Sequence, residues 1–481
     1  MSRPQAMLAA SVSAPVGASL TLANIEAQSF MYFREYTTRE IPFNSPTRNT
    51  LFSMRHARGK SPSLELFSLT EAHHVFALRQ YVKAMGHLRT RLAEIGGGRQ
   101  AAEIALVACV LFVCLEMLQG NRVGALVHLR NGLSVLSGMP SQVHRGHSRG
   151  CDYLVVKQER QALVDQLTDI FARLDIDTMS FGERAPVFRI VSPEDIIGIE
   201  LVLPADFQSV DQALYILDRL NSTVHHVRGR LLELSSQSCS SEKLNWAVRC
   251  CLEYASIRKV NPSQDPAAFA QLAILHTNLA QWLLAFQRLT VKKGVSSDKG
   301  AAAAILVEIR YFYMFFQRFT CRNYIETSYD QFNSMFERIV LLCRMLVDGM
   351  SPSNTTPLTT PEVTFTLDSG AIPSLYLTAI KCRESSIRRE AISLLHRYPC
   401  QEGMWEPTMI AKYVEEIVNL EERAAASTKK DISTPLKCKD VTEASRFSDV
   451  ILAATENPQL GRLVCARFLQ ETTGGLLSWS I

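Results

Sequence analysis

The sequence predicts an all-α fold, a large bundle built from stacked helix pairs. Three observations carry that expectation. Apolar residues recur at three- and four-residue spacing through most of the chain, strand-like segments are few, and breaks rich in Gly, Asn or Pro separate the periodic runs. With 481 residues, 47% hydrophobic and 20% charged, the chain also has the composition to bury a sizeable core.

The first clear run is Leu78, Tyr81, Met85, Leu88, Leu92 and Ile95, which falls on one helix face. Gly96-Gly97-Gly98 ends it, because three glycines forfeit too much backbone entropy to extend a helix. Residues 101–118 follow, apolar almost all round and therefore expected at the centre of the core. The continuous apolar stretch, 104–115, closes between Glu103 and Glu116. That is short of the roughly 20 residues that span a bilayer, so the segment reads as a buried helix. Gln119-Gly120-Asn121 is a tight break with Asn121 placed to cap the next helix, which carries Leu126, Leu129, Leu133 and Leu136. So short a break predicts an antiparallel helical hairpin.

Further helices are expected at 153–174, 209–233, 243–257, 266–289, 300–319, 329–348, 373–382, 386–397 and 407–424, with a turn at 291–299. Residues 137–152 are polar and glycine-rich, and 351–362 are dense in Pro and Thr, so both read as flexible linkers. Residues 188–191 and 199–203 read as short strands or extended connections. The organisation expected is a largely disordered N-terminal tail over 1–63, a helical domain over 64–425 and a C-terminal extension over 426–481. Residues 1–27, rich in Ala and Ser, read as part of that tail rather than as a targeting signal.

The charge balance is 51 basic against 47 acidic residues, a net of +4. No strip of Lys and Arg is present of the kind that displaces phosphate counterions, so DNA-binding residues are not identified. The densest basic stretches, 55–60 and 383–389, read as solvated faces. The twelve cysteines are scattered, as buried thiols in a reducing compartment would be, and no pair has the two-residue gap of a zinc knuckle.

Enzymatic signatures fail on residues or on context. Gly59-Lys60-Ser61 lacks the first glycine of a phosphate-binding loop, and Gly96-Gly97-Gly98 follows a helix rather than a strand. Gly146-His147-Ser148-Arg149-Gly150 matches a nucleophile elbow by letter, but no apolar strand leads into Ser148. His144, His147 and Cys151, with Asp152 as a fourth donor, form the one metal-like cluster, set in a flexible loop that would hold metal poorly. His73-His74 and His225-His226 are adjacent on helices and so point apart. The aromatic run 311–316 reads as a core helix, with a ligand-pocket wall as the less favoured alternative. No catalytic, cofactor-binding or metal residue is therefore expected, no cofactor, and no enzyme.

Ordered blocks of residues carry a resemblance. They are Leu78-Arg79-Gln80-Tyr81 with Lys83-Ala84, Leu118-Gln119-Gly120-Asn121, Ala125-Leu126 with His128-Leu129 and Gly132-Leu133, then Phe171, Arg173-Leu174-Asp175 and Phe181-Gly182. Further on come Glu326, Tyr329-Asp330, Phe332 and Phe336, and last Asp368, Gly370, Ile372-Pro373, Leu375-Tyr376, Lys381-Cys382-Arg383, Ile387-Arg388-Arg389, Ala391 and Glu402-Gly403 with Trp405. In this order, across about 76–422, they resemble the regulatory region of fungal zinc-cluster transcription factors. The resemblance implies an all-α regulatory domain of that type, located in the nucleus, which governs transcription of a metabolic or secondary-metabolite gene cluster. Gly120, Asn121 and Trp405 are expected to serve fold geometry and packing.

The family's six-cysteine cluster has no counterpart before Phe76, since the first cysteine is Cys109. The expected partners are therefore proteins, either a zinc-cluster factor or a second copy of the chain, with DNA contact indirect or through a missing N-terminal module and with no membrane. A helical interaction scaffold without a promoter role is the alternative.

Overall fold

The structure is a computed structural model and describes residues 64–145, 152–181, 183, 185–196, 203–236, 257, 260–293, 298–321, 325–350, 364–426, 435–454, 461–466 and 476–480. Contacts divide the chain into Met1–Pro42 and Phe43–Ile481, and every described residue lies in the second unit. The tail expected at 1–63, the helix at 243–256 and the linker at 351–362 lie outside the described residues.

The chain is all-α: twelve α-helices and eight short strands are found among the described residues. Helices α1 (Leu64–Ile95), α2 (Arg99–Leu118) and α3 (Arg122–Ser137) come first. Gly96, Gly97 and Gly98 take φ of 76°, 110° and 93°, backbone that other residues avoid, and so turn the chain between α1 and α2. Asn121 caps α3, its side-chain oxygen accepting the Gly124 N–H at 3.1 Å. The three-residue break and the close packing of α2 on α3 make the expected hairpin.

The placement of α2 differs from the expectation. Leu106, Val110, Val113 and Met117 form a buried stripe, yet only 44% of the helix's most apolar window is buried. By length and composition it is the one helix among the described residues apolar enough to cross a membrane. A helix packed by neighbours on one side buries one stripe, however apolar its other side is.

Of the segment 137–152, the described residues 137–145 and 152 include strand where a loop is expected. They hold β1 (Val143–His144) and the first residue of β2 (Asp152–Val155), and the helix expected from 153 begins only at α4 (Leu163–Asp177). Tyr153, Leu154, Val155 and Val156 are aromatic and branched residues that suit a pleated surface, and Leu154 and Val156 bury. β2 pairs antiparallel with β1 and parallel with β3 (Phe188–Val191), so of the two readings for that stretch, strand or extended connection, it is the strand that forms. Of 199–203 only residue 203 is described, and it is not in a strand.

After α5 (Pro193–Ile196), the central layer is α6 (Val210–Ser236), α7 (Pro266–Lys293) and α8 (Asp298–Thr320). Trp282 pins α7 to α6 by donating its indole N–H to the Ala213 carbonyl at 2.9 Å, and it stacks on Phe286 and Tyr311. Helix α7 continues through Val291, so the turn expected at 291–299 is shorter than its composition implies. The segment Glu326–Phe332 is a 3-10 turn, and α9 starts at Asn333 (Asn333–Met350) instead of Tyr329. Here Tyr329 is buried beneath α8, hydroxyl to hydroxyl with Thr320 at 2.9 Å, while Phe316 and Phe336 stack at 4.6 Å. Packing of those rings overrides the helical period.

The last layer is β4 (Thr364–Thr366), α10 (Ala371–Lys381), α11 (Ser385–Arg397), β5 (Cys400–Glu402) and α12 (Pro407–Ala426). β4 and β5 pair in parallel, and α10 to α12 pack together beside α9. Past 426, two 3-10 turns lead into an antiparallel sheet of β6 (Asp449–Ala454), β7 (Gly461–Ala466) and β8 (Leu476–Ser480).

Candidate functional site

Each block of residues that marks the sequence meets another block in space. Tyr81 on α1 donates its hydroxyl to Glu116 at 2.7 Å, and its oxygen lies 2.6 Å from His128 Nε2. Because the phenol has one proton and gives it to the carboxylate, His128 must donate from Nε2. Glu116 also accepts from the Asn121 amide at 2.7 Å, so α1, α2 and α3 are tied at one buried carboxylate. Gly132 lets α3 approach α4: a Cβ there would lie 2.1 Å from Cε1 of Phe171. Glu402 accepts the N–H groups of Gly370, Ala371 and Ile372 at 2.8, 3.0 and 3.0 Å, capping α10, and takes the Tyr398 hydroxyl at 2.8 Å. Gly403 then turns at φ 52°, and Trp405 packs against Phe181 and Tyr376. Gly182 lies outside the described residues.

The basic stretch 383–389 is not a solvated face. Arg383 and Arg388 are fully buried, and of the three arginines only Arg389 reaches the surface. Arg383 bridges Glu326 at 3.0 Å and Glu421 at 2.9 Å, and Arg388 meets Glu421 at 2.8 Å. Lys381 donates to Glu326 at 2.9 Å and to the Ser448 carbonyl at 2.7 Å. From beyond α12, Arg446 forks onto Asp330 at 2.6 and 2.8 Å, while Glu443 accepts the Glu326 and Thr327 N–H groups at 2.7 Å each. Burial alone would raise the Glu421 carboxyl, but Arg383 and Arg388 hold it down to about 2. Spacing along the sequence could not show this, because the compensating carboxylates come from elements far away in the chain.

A cavity of about 60 Å³, room for roughly four to six waters, opens between α4, α6, α8 and the start of α10. Its polar wall combines Arg173 and Asp177 from α4 with Asp218, Asn221 and His225 from α6. The other side brings Arg310 and Tyr313 from α8 together with Asp368 and Trp405. Arg173 is held by Asp169 at 2.6 Å and Asp368 at 3.4 Å. Arg310 donates to the Ser369 carbonyl at 2.8 Å, and Ser369 donates its hydroxyl to Asp177 at 2.8 Å. Burial pushes Asp177 up to about 7 and Asp218 up to about 6. Arg173 and Arg310 instead hold Asp368 below its ordinary value against burial. Such a wall can bind and orient a small polar molecule. The aromatic run 311–316 is both things weighed for it: Tyr311, Phe312 and Phe316 are core, whereas Tyr313 faces the cavity.

The other candidates do not assemble. Gly59-Lys60-Ser61 and Gly146 to Cys151 lie outside the described residues, Ser148 and His147 among them; His144 sits exposed on β1. Burial lowers His225 to about 3 and His226 to about 4. No group of three or more His, Cys, Asp and Glu able to hold a metal occurs among the described residues. Cys114, Cys321, Cys343, Cys382 and Cys400 are buried. Arg173 and Asp368 belong to the ordered blocks of the sequence, but the cavity itself is signalled there only by the polar stripe Asp218, Asn221, His225 on an otherwise apolar helix face.

Over 61 residues the chain is 38% identical to the aspercryptin biosynthesis cluster-specific transcription regulator of Emericella nidulans. That stretch is 13% of this chain and 10% of that protein, so the chain matches about a tenth of the relative's length. No family model and no solved structure matches the chain.

Proposed function

We propose that the chain is a transcription regulator of the fungal zinc-cluster type, acting in the nucleus on a metabolic or secondary-metabolite gene cluster through its helical domain. The observation that carries this reading is the 61-residue similarity to a cluster-specific regulator. The ordered motif blocks support it, because they converge on shared junctions of one helical body. Contact with DNA runs through a protein partner, a zinc-cluster factor or a second copy of this chain, and the chain performs no catalysis. Supporting a protein partner, Ile274, Leu284 and Val291 stand exposed within about a 100° sector of α7.

The test is a tagged copy at the native locus with transcript profiling of a deletion strain. We expect one contiguous set of genes to change on deletion and the tagged protein to occupy their promoters. That occupancy should vanish when the zinc-cluster partner is removed. A tagged protein confined to the cytoplasm, with transcripts unchanged on deletion, would overturn the reading and leave the helical scaffold in its place.

A further inference from the structure

The cavity between α4, α6, α8 and α10 carries an inference that does not depend on the regulatory reading. Asp218, Asn221 and His225 stand one helical turn apart on α6 and line it together. Asp218 Oδ2, Asn221 Oδ1 and His225 Nδ1 have no hydrogen-bond partner within the protein, nor has Nε of Arg173 opposite them. His225 is only 2% exposed, so its ring meets the cavity rather than bulk water. A polar atom buried without a partner costs about 1–3 kcal/mol, so such an array is stable only when something polar meets it.

We propose that this cavity binds a small amino compound, with its ammonium group at Asp218 and Asn221 and an oxygen on the neighbouring carbon at Arg173. Charge points that way. Arg173 and Arg310 are already paired with Asp169, Asp368 and the Ser369 carbonyl, so they act on the carboxyl groups of Asp177 and Asp218 only through space, too weakly to offset burial. Both have pKa values raised by burial, and a neighbouring cation is what would favour their ionised forms. His225 stays neutral and does not compete as a cation. Tyr313 and Trp405 add aromatic surface, which tolerates an ammonium group well. A metal ion is a poorer fit, because no three His, Cys, Asp or Glu side chains converge in a way that could hold one among the described residues. The volume limits the ligand to a handful of non-hydrogen atoms.

The experiment compares three probes of one size on the full chain by calorimetry or ligand-observed NMR: ethanolamine, ethylene glycol and glycolate. We expect ethanolamine to bind saturably, at least about tenfold more tightly than ethylene glycol, with glycolate weakest. Asp218→Asn, which keeps shape and an acceptor oxygen, should lower ethanolamine affinity about tenfold and leave ethylene glycol unchanged. Should that variant fail to fold, Asp177→Asn serves the same comparison, and the ranking of probes on the unaltered chain stands alone. Equal binding of ethanolamine and ethylene glycol, preference for glycolate, or no saturable binding at all (water being the sole occupant) would each overturn the proposal.

Discussion

Asp175 ties one side chain to the pH dependence of the whole fold. Its carboxylate accepts the Phe188 N–H at 3.0 Å while 3% exposed, and burial pushes its pKa up to about 7. In the unfolded chain the group titrates near about 3.9. Between those values the folded state holds the proton and the unfolded state does not. The group therefore stabilises the fold fully below about pH 4 and loses that contribution as pH rises through 7. Asp175→Asn keeps an acceptor and removes the charge. Relative to the unaltered protein, the variant should gain about 2 kcal/mol between about pH 5 and about pH 8, read by urea unfolding. A difference constant with pH would mean that Asp175 titrates as an ordinary carboxyl. His225, held to about 3, acts in the opposite sense, contributing above about 6.5 and losing that as acid protonates the unfolded chain. At this scale the sequence was least legible. Nothing in Arg383-Glu384-Ser385-Ser386 distinguishes a buried guanidinium from a solvated one until Glu326 and Glu421 are placed beside it.

Helices were far easier to read than their partners. The hairpin of α2 and α3, its Asn121 cap and the glycine stop after α1 all follow from local chemistry, and the structure has them where the sequence puts them. The misreadings fall where tertiary contacts overrule the local period, at Tyr153 drawn into a strand by β3 and at Tyr329 drawn under α8. Gly132 shows how one element limits another. Alanine in a helix interior is about 1 kcal/mol better than glycine. At Gly132, however, the added methyl would meet the fully buried ring of Phe171, and overpacking costs about 1–3 kcal/mol. We expect Gly132→Ala to destabilise by about 1–2 kcal/mol. Gly86→Ala, on α1 with no atom within 4 Å of the new methyl, should stabilise by up to about 1 kcal/mol. Thermal unfolding of the pair reads out both, and shifts of the same sign would show that the α3–α4 approach is not limited by that glycine.

Across the whole molecule, the buried ion network joins the turn before α9, the end of α10, the start of α11, α12 and the segment past 426. Removing one member of a buried pair strands the other, which costs about 3–5 kcal/mol. Glu421→Gln leaves Arg383 and Arg388 facing a neutral amide, so it should lower stability by about that amount in chemical unfolding. A loss below about 1 kcal/mol would show that water reaches these guanidinium groups. The extension expected at 426–481 is thus bound to the helical body along 437–448, through Glu443, Arg446 and the Phe447 carbonyl. That has a consequence for the order of synthesis. Arg383 leaves the ribosome 38 residues before Glu421 and 64 before Phe447. At about 5–20 residues per second, the nascent chain spends seconds with its guanidinium groups waiting for partners not yet made. A message cut after the Ala426 codon would supply Glu421 but withhold the Phe447 carbonyl from Arg383, the Ser448 carbonyl from Lys381 and the Arg446 guanidinium from Asp330. The product should form helices yet remain protease-sensitive and bound to chaperones, whereas a chain that includes 437–448 escapes both soon after those residues emerge.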